Sequence, residues 1–141
     1  MSDEAVVLVT CPADQAERIA TVLVETRLAA CVNILPGVVS VYEWKEKLCK
    51  DAETMLVIKS SLGVYGALEA KILEVHPYEV PEIILLPIST GSKSYLDWIN
   101  CQVGGSKSTI EGSEDSRESE IPTSSEASNH FVSSGLTRKE T

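Results

Sequence analysis

The segment "TMLVIKSSLGVYGALEAKILEVHPYEVPEIILLPI", residues 54–88, holds a strand, a helix and a second strand in succession. "TMLVIKS" (54–60) is a short apolar run with β-branched residues, Met55 and Val57 opposing Leu56 and Ile58, and it reads as a strand apolar on both faces. From Leu62 the period changes. Leu62, Tyr65, Leu68, Ile72 and Val75 share one helical face. Gly63 and Gly66 weaken that helix by about 1 kcal/mol each relative to Ala. Pro77 forces His76 into an extended conformation and ends the helix there, and Pro81 restricts Val80 in the same way. "VPEIILLPI" (80–88) is then the next strand.

Towards the N-terminus, "VVSVYEW" (38–44) and "AACVNIL" (29–35) read as two strands broken at Pro36-Gly37. The charged "KEKLCKDAE" (45–53) suits a hairpin tip. "ADQAERIATVLVETRL" (13–28) carries Ala16, Ile19, Ala20, Leu23 and Arg27 at helical spacing, and Asp14 with Glu17 resembles a capping box. "AVVLVTC" (5–11) is a first strand that Pro12 ends. Towards the C-terminus, "SKSYLDWIN" (92–100) is a short closing helix with Tyr95, Trp98 and Ile99 on one side.

Two helices of about fifteen residues, each between strands, match an α+β ferredoxin-like sandwich: one antiparallel sheet with helices on one face. The strands supply apolar residues to both faces, so the face without helices needs a partner. We expect a homo-oligomer held through the sheet, with the long hairpin edge available to a neighbouring subunit.

Residues 102–141 contain ten serines and four threonines in 40 positions and few apolar residues. Such a segment cannot offset the entropy of ordering it. The expected division is therefore a globular domain over 1–101 and a disordered Ser/Thr-rich tail over 102–141. The formal charge of −9, without a Lys/Arg cluster, disfavours nucleic acid and anionic membranes as partners. No apolar stretch reaches transmembrane length, and "MSDEAVVLVT" has acids where a signal peptide needs bases, so a cytoplasmic protein is expected. The cysteines, Cys11, Cys31, Cys49 and Cys101, form no C-x-x-C pair, which argues against a zinc finger and for free thiols, at least two of them packed as small hydrophobes.

His76 has two readings. If the segment is extended, alternation puts His76, Tyr78, Val80 and Glu82 on one side, where an imidazole and a carboxylate can hold a divalent metal or act as an acid/base pair. Alternatively His76 caps helix carbonyls and Glu82 lies at a strand mouth. Cys11, before a helix, is either a metal ligand or reactive thiol, or a packed small residue. Lys59 is a charge within an apolar strand that snorkels to the surface or reaches an anionic ligand in a cleft. Trp44 covers an interface or a cleft edge, and Asn33 makes a backbone hydrogen bond. There is no G-x-S-x-G, G-x-G-x-x-G, H-E-x-x-H or phosphate-cradling loop. Nothing argues for a covalent mechanism, and a non-catalytic protein is expected.

"RLAACVNILPGVVSVYEW" (27–44) and "VHPYEVPEIILLPI" (75–88), with "TCP" (10–12) and "YLDWI" (95–99), resemble CutA, the divalent-cation-tolerance family, over roughly residues 5–100. The resemblance implies a ferredoxin-like fold assembled as a tight homotrimer, akin to PII-type regulatory proteins that bind small effectors between subunits. It implies copper as the ligand in bacterial members. In animal members it implies a link to the membrane anchoring of acetylcholinesterase, which is a scaffolding role with a protein partner. The family's copper site uses a first-strand cysteine, the histidine of H-P-Y and a following carboxylate. His76 and Glu82 match the last two. The cysteine position falls on Val9, and Cys11, two residues on and on the same strand face, is the candidate in its place. A small-molecule reading places Lys59, Tyr78 and Glu82 in the inter-subunit cleft, with Trp44 at its edge.

Overall fold

The computed structural model describes residues 3–104. The chain runs β1 (Glu4–Cys11), α1 (Ala16–Glu25), β2 (Cys31–Trp44), β3 (Lys47–Ser61), α2 (Tyr65–Val75), β4 (Ile83–Pro87) and α3 (Lys93–Gln102). The four strands form one sheet in the order β2-β3-β1-β4, with every neighbouring pair antiparallel. This is the expected ferredoxin-like arrangement, and the helices α1 and α2 supply its two crossovers.

Alternation along β1 explains the layers. Val7, Val9 and Cys11 point to one face and are fully buried with Leu56 and Ile58 of β3. Ile19 and Leu23 of α1 and Leu68 and Ile72 of α2 close over them. The α1 stripe is as expected: Ala16, Ile19, Ala20 and Leu23 are all buried. Of the α2 stripe, Leu68 and Ile72 are buried, whereas Leu62 precedes the helix and is exposed.

The other face carries Val6, Leu8, Met55, Val57, Leu35, Ile84 and Leu86 by the same alternation and register. Leu35 is 44% exposed, and Ile84 and Leu86 are each 46% exposed. Helix α3 crosses one end of this face, where Asn100 donates to the carboxylate of Glu4 and Ile99 is buried. The face is thus apolar and only partly covered, where the sequence reading left it bare.

Several expectations change. The two strands expected over 29–35 and 38–44 are one strand, β2, with a register shift between Leu35 and Val38. Gly37 sits at φ 83°, which absorbs the irregularity as a bulge instead of a break. The hairpin tip is only Lys45-Glu46, at φ 54° and 66°, because Trp44 already pairs with Lys47. Two left-handed central residues make a type I′ loop. Beyond the end of β1, Val38–Trp44 and Lys47–Glu53 continue as a two-stranded arm. Val39, Val41 and Leu48 are exposed on it, Leu48 by 81%. A bare ribbon of two strands is marginally stable in water, so this arm also needs a partner surface.

Asp14 and Glu17 form no capping box; a 3-10 turn over Ala13–Gln15 after Pro12 leads into α1, with no side-chain cap bond. Arg27 does not continue the α1 stripe. It takes φ 63° just after the helix, and Leu28 N–H returns to the Leu23 carbonyl. Its guanidinium donates to the carbonyls of Cys101 and Gly104, and Gly104 N–H donates back to the Arg27 carbonyl. Residues 102–104, just past the expected boundary at 101, thus pack on the C-terminal end of α1. The expected disordered tail lies, beyond Gly104, outside the described residues. All four cysteines are free, but only Cys11 is fully buried, where at least two packed thiols were expected. Among the described residues, no helix is long and apolar enough to cross a membrane.

Candidate functional site

Where β2 and β3 leave β1 behind, the segment between α2 and β4 folds across them. The result is a cavity of about 640 Å³, lined by Thr10, by Ser40, Val41, Tyr42 and Trp44 of β2, by Asp51 and Glu53 of β3, and by Tyr78, Glu79, Val80 and Glu82. Register explains the convergence. Ser40 pairs with Asp51 and Tyr42 with Cys49, so Tyr42 and Asp51 share one face of the arm. The Tyr42 hydroxyl donates to Asp51 Oδ2, and the Tyr78 hydroxyl donates to Glu53 Oε2 at 2.6 Å. The bond to Asp51, with burial added, pushes the Tyr42 phenol up to about 12. Burial, then the bond to Glu53, raises the Tyr78 phenol still further. Both phenols therefore stay protonated and hold their carboxylates in place. Among the described residues, four carboxylates line the cavity and no Lys or Arg does.

His76 anchors the near wall. It is buried, and Nε2 lies 2.8 Å from the Thr10 carbonyl. A carbonyl can only accept, so Nε2 carries the proton. Nδ1 accepts the Tyr78 N–H at 3.1 Å. The ring also packs against Tyr78, centroids 4.8 Å apart. The segment is bent rather than extended: β4 starts only at Ile83, not at Val80. The expected alternation of His76, Tyr78, Val80 and Glu82 does not occur. His76 points inward at β1, whereas Tyr78, Val80 and Glu82 line the cavity.

The three metal candidates are not brought together. Cys11 belongs to the helix-covered core, and burial, then Glu53 and Asp14, pushes its thiol up. Among the described residues, no three His, Cys, Asp or Glu side chains are grouped so as to hold one ion. Of the three cleft candidates, Tyr78 and Trp44 do line one cavity. Lys59 does not; it donates to Asn33 across the sheet. It lies six residues along β3 from Glu53, about 20 Å at the rise of a strand. Asn33 lies within β2 opposite Val57, in the backbone ladder as expected, and its side chain in addition accepts from Lys59. Asp51 and Glu53 were missed because a run of charges reads as a solvated tip, and Tyr42 because in the strand 38–44 it reads as one more apolar face residue. Period-2 alternation, continued through Asp51 and Glu53, is the signal that finds them.

Residues 5–102 match the family profile described as CutA1 divalent ion tolerance protein. The divalent-cation tolerance protein CutA of Thermus thermophilus is 45% identical over 102 residues, 72% of this chain and 99% of that protein. Protein CutA of Mus musculus is 46% identical over 93 residues, 65% of this chain but only 52% of the mouse protein, so the chain matches about half of that relative's length. Among solved structures, the Thermus thermophilus divalent cation tolerance protein superposes with a TM-score of 0.70 at 45% identity, covering 72% of this chain and 99% of that one. A Nostoc structure described as a PII-like protein CutA superposes with a TM-score of 0.64 at 37% identity, covering 67% and 92%. The chain belongs to the CutA1 divalent ion tolerance family.

Proposed function

We propose that this chain is a non-catalytic, cytoplasmic homotrimer that binds divalent metal, copper foremost, in metal tolerance. The observation that carries the reading is family membership across the whole described fold. The uncovered apolar sheet face supports the self-association, because a monomer would leave it in water. Cu(II) tops the divalent affinity order for nitrogen and oxygen donors, so a site without evolved selectivity favours it.

His76 and Glu82 are the proposed ligands. Among the described residues, one protomer offers no preformed three-ligand site. To ligate through Nδ1, His76 gives up the Tyr78 N–H, and Glu82 or a second copy completes the shell. Cys11 is not proposed as a ligand, because it is a core residue. The test is a copper titration of the full chain against His76→Gln, Glu82→Gln and Cys11→Ser. The reading expects loss with the first, weakening with the second and no change with the third. A His76→Gln protein that stays folded and binds copper as tightly as the parent overturns the assignment.

A further inference from the structure

The cavity between the arm and the α2–β4 segment has chemistry that a single metal ion does not use. Among the described residues its lining has one sign of charge: Asp51, Glu53, Glu79 and Glu82, without a Lys or Arg. The ion pairs among the described residues, Lys71–Glu74 and Lys93–Asp97, lie elsewhere. Its charge is also spread out, since no three of these groups converge on a point. Between the carboxylates lie flat apolar surfaces: the rings of Tyr42, Trp44 and Tyr78, with Val41 and Val80. Aromatic faces attract ammonium groups within about 6 Å of the centroid. The Trp44 ring already has the Lys45 ammonium 5.8 Å from its centroid.

A spread set of anions separated by apolar walls matches an extended ligand with several positive centres joined by methylenes. A compact divalent ion does not fit that pattern, because it needs convergent oxygens at about 2–2.6 Å. The volume of about 640 Å³ falls within the range of about 300–1,000 Å³ usual for small-molecule sites. We infer that this cavity binds an aliphatic polyamine, its ammonium groups on the carboxylates and its methylene chain along Tyr42, Trp44 and Tyr78.

Each carboxylate has two oxygens. The phenols occupy Asp51 Oδ2 and Glu53 Oε2, which fixes the acids and sets the second oxygen of each as the acceptor for an ammonium. The inference does not rest on the copper reading, since Asp51, Tyr42 and Trp44 are not among the proposed metal ligands.

The experiment is isothermal titration of the full chain, held metal-free by chelator, with spermidine as the probe. One spermidine per protomer is expected. Asp51→Asn, Tyr42→Phe and Trp44→Ala should each lower the affinity about tenfold, the scale of one well-placed ion or cation–π contact. The first two conserve shape, so the test survives if Trp44→Ala misfolds. Glu17→Gln, on the exposed side of α1, should leave binding unchanged. Absence of spermidine binding overturns the inference. So does an equal loss in Glu17→Gln and Asp51→Asn, which would mean general attraction to an acidic chain. Displacement of spermidine by equimolar magnesium overturns it as well, because it would show a point-charge site. Copper titration of the same variants separates the two readings: spermidine lost with copper retained affects this cavity alone.

Discussion

The imidazole of His76 donates from Nε2 to the main-chain carbonyl of Thr10, 2.8 Å away, and so ties the α2–β4 segment to the end of β1. The same ring accepts the Tyr78 N–H through Nδ1. Removing the ring leaves a buried acceptor and a donor without partners and opens a void beneath Tyr78. Each unsatisfied group costs about 1–3 kcal/mol. His76→Ala is therefore expected to lower unfolding stability by at least about 2 kcal/mol, read from the midpoint of a urea or guanidinium transition. An unchanged midpoint would mean that the segment is held by other contacts.

Tyr42, Tyr65, Tyr78 and Tyr95, the four tyrosines of the chain, are all raised above the ordinary phenol value. An absorbance titration at the phenolate band should therefore show at least two of the four tyrosines, Tyr42 and Tyr78, ionising well above the unperturbed value of about 10 while the protein is folded. The linkage follows in sign. Above that value the unfolded chain has released phenolic protons that the folded chain keeps, so stability falls as pH rises from about 10. For Tyr42 the loss is complete once pH passes about 12. Tyr42→Phe should remove one of the late-ionising groups. A folded protein in which all four tyrosines titrate near 10 would contradict the carboxylate contacts of Tyr42 and Tyr78.

Glu46 is the second residue of the arm's two-residue loop, at φ 66°. A left-handed conformation costs an L-residue with a side chain about 1 kcal/mol, and glycine adopts it without that penalty. Glu46→Gly is expected to stabilise the fold by about 0.5–1 kcal/mol, visible as a rise in Tm of a few degrees. A fall in Tm would show that Glu46 makes a contact worth more than the strain.

Much of the fold was legible because periodicity is a physical requirement of burial. Val7 and Val9 alternate on β1, and Ile19 and Leu23 recur on α1, as one core demands. Four features escaped. Pro36-Gly37 reads as a break, yet a glycine at φ 83° lets β2 continue through a bulge. The "KEKLCKDAE" run reads as a solvated tip, yet all but two of its residues lie on β3, and Asp51 and Glu53 face the cavity. His76 was legible as a helix stop: its N–H closes on the Ile72 carbonyl at φ −81°. The direction of its ring was not, because that depends on Thr10, 66 residues away. Cys11 and Glu82 likewise looked close in a strand-and-turn reading but belong to different sides of the structure, the core and the cavity wall.

The partly uncovered face of Val6, Leu8, Val57, Ile84 and Leu86 is expected to be an interface between copies of this chain. Multi-angle light scattering of the full chain measures this directly. A mass of about 46 kDa, three times the 15.3 kDa of one chain, is expected and should persist on dilution to nanomolar concentration. A folded species near 15 kDa would contradict it, because that apolar face would then be stable in water.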